Sequence, residues 1–122
     1  MKPEFDQNKS IYLQIAEGIE DNILKKVIEE EGQVPSTNQL AALYRINPAT
    51  AAKGINLLVN EGIIYKKRGI GMFVTPGAVE KIKSKRKKGF YQKFIVPLRD
   101  EAANLGISED EITDMIKKAK EK

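Results

Sequence analysis

Two helix-start signals close together in the middle of the chain constrain its fold more than any other feature. Ser36 is followed three positions later by Gln39, a capping box in which each side chain satisfies the other residue's unpaired backbone N–H. Asn47-Pro48 is a second start. Asparagine accepts a backbone N–H at the N-cap, and the fixed φ of proline suits the first helical position, where a missing N–H costs nothing. Between the two signals lies a segment long enough for a short helix to about Tyr44, followed by a turn through Arg45-Ile46-Asn47. In the helix opened by Pro48, Ala51, Ile55 and Leu58 share one face, and Glu61-Gly62 ends it. Gly54, unfavourable inside a helix, predicts that another backbone packs closely there.

The flanks complete a recognisable unit. Before it, Ile11, Ile15, Ile19, Ile23 and Val27 recur every fourth residue, which predicts an amphipathic helix with Ser10 as N-cap and Gly32 as its stop. The acidic run Glu29-Glu30-Glu31 sits at the end where the helix dipole disfavours acids, so this helix is expected to fray early. After it, Ile63–Lys66 and Met72–Thr75 read as two strands joined by Lys67-Arg68-Gly69-Ile70-Gly71, whose glycines supply the positive φ of a tight tip. Three helices and a β-hairpin, with a tight turn between the second and third helices, describe a winged helix-turn-helix. The expected fold class is mainly α with a small β-hairpin, and Pro76-Gly77 closes the domain, residues 1–76.

Residues 77–122 are expected to be a helical tail. Phe90, Phe94, Leu98, Ala102 and Leu105 form one stripe, interrupted by Pro97, which predicts a kink or short break near Val96. Gly106 closes that segment, and a second capping box, Ser108 with Glu111, opens a last helix with Ile112, Met115, Ile116 and Ala119 on one face. A tail of this size has no second layer to cover the stripe. Phe90, Phe94, Leu98 and Leu105 are therefore expected to pack on a symmetry mate, and a two-fold homodimer suits a palindromic operator. The run from Lys81 to Lys88 holds six basic residues and no acidic one, and reads as a solvated helix face, a linker or a nucleic-acid arm.

Composition excludes most chemistry. The chain of 122 residues has neither cysteine nor histidine, which removes disulfides, thiolate chemistry and the commonest acid-base group and metal ligand. Glu29, Glu30 and Glu31 are the one conceivable carboxylate metal site, but acidic runs are usually solvated. No enzyme activity and no cofactor are expected. No apolar stretch reaches membrane-spanning length and the start lacks a signal-peptide core, so no membrane partner and a cytoplasmic location are expected. The net charge of +4 is unevenly spread. Residues 1–35 sum to −4, whereas residues 36–76 and 77–122 each sum to +4. Such segregation turns one face towards phosphate.

The order and spacing of several short runs resemble GntR-type regulators. They are Ile11-Tyr12-Leu13-Gln14-Ile15-Ala16, Pro35-Ser36 with Leu40-Ala41, Asn47-Pro48-Ala49-Thr50, Glu61-Gly62-Ile63-Ile64, and Arg68-Gly69-Ile70-Gly71-Met72-Phe73-Val74. The short helical tail is similar to the YtrA-like branch, which dimerises through the tail and lacks a large effector-binding domain. The resemblance implies a regulator of duplex DNA, a repressor acting as a homodimer, with a target operon near its own gene. It implies that Ser36 meets a phosphate at a helix N-terminus, with Asn38 and Gln39 in the same turn. Asn47, Thr50 and Lys53 would form the leading edge of the recognition helix, Asn47 as N-cap or as an adenine reader. Lys67, Arg68 and Gly69 would reach the minor groove from the wing tip. Where many relatives carry arginine, this chain has Asn38, Pro48 and Ala49, so specificity rests more on shape and on the wing. A winged helix that binds RNA or a protein partner is the alternative.

Overall fold

The structure, a computed structural model, describes Phe5 and residues 9–120 and divides into two compact units, Met1–Ser84 and Lys85–Lys122. In the first unit, α1 (Ile11–Leu24), α2 (Thr37–Tyr44) and α3 (Pro48–Asn60) accompany three short strands, β1 (Gln33–Val34), β2 (Ile64–Lys67) and β3 (Gly71–Val74). The strands form one antiparallel sheet in the order β1-β3-β2, with Tyr65 opposite Phe73 and Val34 opposite Met72. The next helix, α4 (Ala78–Phe90), starts in this unit.

The core forms where the helical spacing says it should. Ile15, Ile19 and Ile23 of α1, Leu40 of α2, and Ala51, Ile55 and Leu58 of α3 are buried together with Val34, Ile63, Ile64 and Val74. Gly54 is where α1 and α3 touch: a Cβ there would lie 2.8 Å from the carbonyl oxygen of Tyr12. The predicted close approach of a second backbone is thus present, and the absence of a side chain permits it.

Three expectations need correcting. Val27 does not extend the α1 stripe; it is 71% exposed. The helix ends at Leu24, Lys26 turns left-handed (φ 62°), and the Asn22 carbonyl accepts the N–H groups of Val27 and Ile28. Ser10 stands at the N-cap without a side-chain capping bond. The acidic segment, expected as a frayed helix end, instead runs beside β3. Glu31 N–H donates to the Val74 carbonyl, and Val74 N–H donates to that of Gly32. It leads into β1, a strand of two residues that offers no alternation to read.

The first unit also extends past Pro76, because Ala78 and Ile82 of α4 are fully buried in its core. Glu30 secures the start of that helix. Gly77 N–H donates to its Oε1 at 2.9 Å and Val79 N–H to its Oε2 at 3.2 Å. Those two bonds, Gly77 first, with Lys26 nearby, hold the Glu30 carboxyl below the usual range. Two members of the basic run are engaged here as well: Lys81 Nζ donates to the Gly62 carbonyl at 3.4 Å, and Lys83 pairs with Glu80 at 3.7 Å.

In the second unit, five residues of π-helix (Tyr91–Ile95) lead into α5 (Val96–Leu105), and α6 (Glu109–Ala119) follows. Val96 N–H donates to the Tyr91 carbonyl, a wider turn that carries the ladder up to Pro97, which has no N–H to continue it. The expected break near Val96 is this wide turn. Gly106 turns left-handed at φ 69°, and the Ser108–Glu111 capping box closes at 2.9 and 3.1 Å. Glu111 is held below the usual carboxylate range by its bonds from the Ser108 N–H and hydroxyl. Only Ala102 is buried here among the hydrophobic residues described.

Candidate nucleic-acid interface

At the start of α2 the predicted capping box is closed: Ser36 N–H donates to Gln39 Oε1 at 2.8 Å, and Gln39 N–H donates to Ser36 Oγ at 3.1 Å. The Ser36 hydroxyl accepts one bond in this arrangement and retains a proton to donate to a phosphate oxygen. Ser36, Asn38 and Gln39 are exposed on the first turn, at the positive end of the helix dipole.

At the start of α3, Asn47 Oδ1 accepts from Ala49 N–H at 2.8 Å, with Pro48 in the first helical position. An adenine contact from Asn47 in two places needs both amide atoms. The cap uses one of the two lone pairs of Oδ1 and does not involve the side-chain NH2. Thr50 is half-buried one turn on, and Lys53 is exposed. The Lys53 ammonium lies 4.3 Å from the centre of the Tyr12 ring on α1.

The hairpin tip is built by Gly69 (φ 78°) and Gly71 (φ 146°), with Ile70 N–H donating to the Lys67 carbonyl at 2.9 Å. Gln33 braces it from β1, its side-chain amide donating to the Ile70 carbonyl at 3.2 Å. Arg68 and Gly69 are exposed at the tip. Lys67 is exposed but folds back, its ammonium 4.5 Å from the centre of the Phe73 ring and 6.0 Å from that of Tyr65. The Tyr65 hydroxyl in turn donates to Glu31 Oε1 at 3.2 Å. Glu30 and Glu31, considered above as metal ligands, are thus used as hydrogen-bond acceptors.

A groove of 410 Å³ brings Ser36 and Thr37 together with Lys66, Ile70 and Gly71 of the hairpin and with Ile55, Asn56 and Val59 of α3. Asn47, Thr50 and Lys53 do not line it. Asn56 and Gln33 were not expected at this surface. Nothing in the sequence marks Gln33, because its strand is too short to show a pattern, and Asn56 looks like any polar position on a helix. In the second unit, Phe90 and Phe94 are half-exposed with ring centres 5.3 Å apart. Leu98 lines an apolar groove of 350 Å³ with Ala102, Ile107, Ile112, Met115 and Ile116, and Leu105 lies outside it, 63% exposed.

A helix-turn-helix with two capped helix starts, flanked by a hairpin with arginine at its tip, defines a winged DNA-binding protein. The chain belongs to the gntR family of bacterial regulatory proteins, whose profile matches residues 11–74. It is 34% identical over 68 residues to the transcriptional repressor YtrA of Bacillus subtilis, covering 56% of this chain and 52% of YtrA. The chain thus spans about half the length of that relative. A GntR-family transcriptional regulator from Listeria monocytogenes superposes with a TM-score of 0.76 at 30% identity, covering 93% of this chain and 98% of that one. The DNA-binding domain of AraR, solved in complex with an operator, matches 62% of this chain and 92% of its own at 26% identity, with a TM-score of 0.53. The protein is a DNA-binding transcriptional regulator similar to the YtrA-like branch.

Proposed function

We propose that the protein is a repressor that binds a palindromic operator as a homodimer, with its first unit on the DNA and its tail in the subunit interface. The observation that carries this reading is the groove that joins the capped start of α2 to the hairpin. It offers a phosphate one helix N-terminus, the Ser36 hydroxyl and Lys66 of the hairpin within one surface. Lys53 and Thr50 extend that surface along α3, and Arg68 and Lys67 extend it along the wing. Ser36, Asn38 and Lys53 contact the backbone, while Thr50 and the wing supply selectivity. Phe90, Phe94, Leu98 and Leu105 form the subunit contact.

The test is selection of bound duplexes from a random pool, followed by a salt series on the selected site. The expected product is a sequence with two-fold symmetry. Lys67→Ala with Arg68→Ala should weaken binding and flatten the salt dependence by about 0.9 log unit for each phosphate that is no longer neutralised. An asymmetric selected site would overturn the palindrome, and an unchanged salt slope would remove the wing from the interface.

A further inference from the structure

We infer that Tyr12 is a positioning residue for DNA binding, holding the Lys53 ammonium in place through the face of its ring; this rests on the phosphate role proposed above for Lys53. The two residues belong to different helices. Lys53 lies in the second turn of α3 and Tyr12 in the first turn of α1. Their distance of 4.3 Å is well inside the range in which an aromatic face attracts a cation.

The contact depends on an unusual approach of the helices. Gly54, the neighbour of Lys53, is buried, and a Cβ on it would stand 2.8 Å from the Tyr12 carbonyl and 3.2 Å from the Ile15 side chain. A glycine at this point of α3 therefore lets the first turn of α1 come close enough to put its ring beneath the lysine. Glycine is a poor helix former, and here its cost accompanies a contact at the binding surface.

A lysine ammonium carries three N–H donors on a flexible stem. Seated on a ring, it keeps donors directed away from the ring for a phosphate, and its stem loses fewer conformations on binding. Tyr12 acts through Lys53 in this scheme and need not touch DNA. The phenol hydroxyl has no part in it, so phenylalanine should substitute for tyrosine and leucine should not.

The experiment measures affinity of the full chain for a mixed-sequence duplex across a salt series, for wild type, Tyr12→Phe, Tyr12→Leu, Lys53→Ala and the Tyr12→Leu/Lys53→Ala double variant. Tyr12→Phe should bind like wild type, and Tyr12→Leu should bind about two- to fivefold more weakly. The double variant should be no weaker than Lys53→Ala alone. In the DNA-free protein, proton resonances of the Lys53 ε-methylene should lie upfield, and Tyr12→Leu but not Tyr12→Phe should restore their ordinary position. Equal weakening by Tyr12→Leu with and without Lys53 would overturn the inference while leaving Lys53 on the phosphate. Unchanged binding by Lys53→Ala would overturn both. Ordinary Lys53 resonances in the wild type would overturn the positioning without recourse to any variant.

Discussion

The two units treat the same sequence pattern in opposite ways. In the first, apolar residues at helical spacing meet those of neighbouring helices, and Ile23, Leu58, Ile63, Ile64 and Ile82 are almost wholly buried. In the second, Phe90, Phe94, Leu98, Leu105, Met115 and Ile116 follow an equally regular spacing and are all exposed. The first unit supplies several layers from its own chain, a helix for every face and a sheet to close the end. The second supplies little beyond α5 and α6. Amphipathic spacing thus announces that a face will be covered; the number of elements within reach decides whether the same chain covers it.

The largest effect should come from Leu58→Ala. It opens a cavity in a core with no exposed edge at that point, and should lower unfolding stability by about 2–5 kcal/mol in chemical denaturation. Leu105→Ala, on a residue 63% exposed, should change the stability of the isolated subunit by no more than about 0.5 kcal/mol. Similar destabilisation by both would erase the contrast. Phe94→Asp should come next. Half-exposed in one chain, it should leave helix content intact by circular dichroism and, with the tail as the proposed subunit contact, yield monomers in sedimentation equilibrium where the unchanged protein yields dimers. Operator binding should then fall by about 100-fold as the two half-sites cease to be linked. Intact dimers would move the interface to another surface.

The smallest effect concerns acid. Glu30 in the first unit and Glu111 in the second are both held below the ordinary value of 4.5 by backbone N–H donors. A carboxyl with a lowered folded pKa contributes stability that is complete above its unfolded value and is lost as pH falls through the folded one. Thermal melts should therefore show stability constant above about pH 6 and declining below 4.5. Glu30→Gln should flatten part of that decline in the unfolding of the first unit. Glu111→Gln should alter only the acid response of helix content, since no core is attached to α6.

The helix-turn-helix was legible because its signals are local. A capping box and an Asn-Pro pair declare helix starts through bonds within three residues, and both appear as read, at Ser36 and Asn47. The hairpin was legible to one residue: strands expected at 63–66 and 72–75 lie at Ile64–Lys67 and Gly71–Val74. What depends on distant partners was not legible. Gln33–Val34 becomes a strand only because β3 is there to pair with it. Ala78 and Ile82 are two apolar residues at the head of a basic helix, too few to announce that the first unit needs them. Glu30 reads as one of three solvated acids until Gly77 and Val79 are brought to it. Of the candidate interface, the caps and the exposure of the cations could be read in advance, whereas the rings beneath Lys53 and Lys67 could not, since cation and ring come from different elements or from strand pairing.

The sheet of the first unit also bears on which kinds of self-association are open to such a chain. Any open sheet has two outer strands with unpaired backbone groups, and these can recruit strands from other molecules. Here one outer strand is β1, only two residues long, and the other is β2, which ends in Lys66-Lys67. A foreign strand would find almost no ladder on one side and a pair of like charges on the other. The wing is therefore a poor template for fibrils. Self-association by this chain should proceed by side-chain packing of helices, which reverses on dilution, and not by growth of backbone hydrogen bonding.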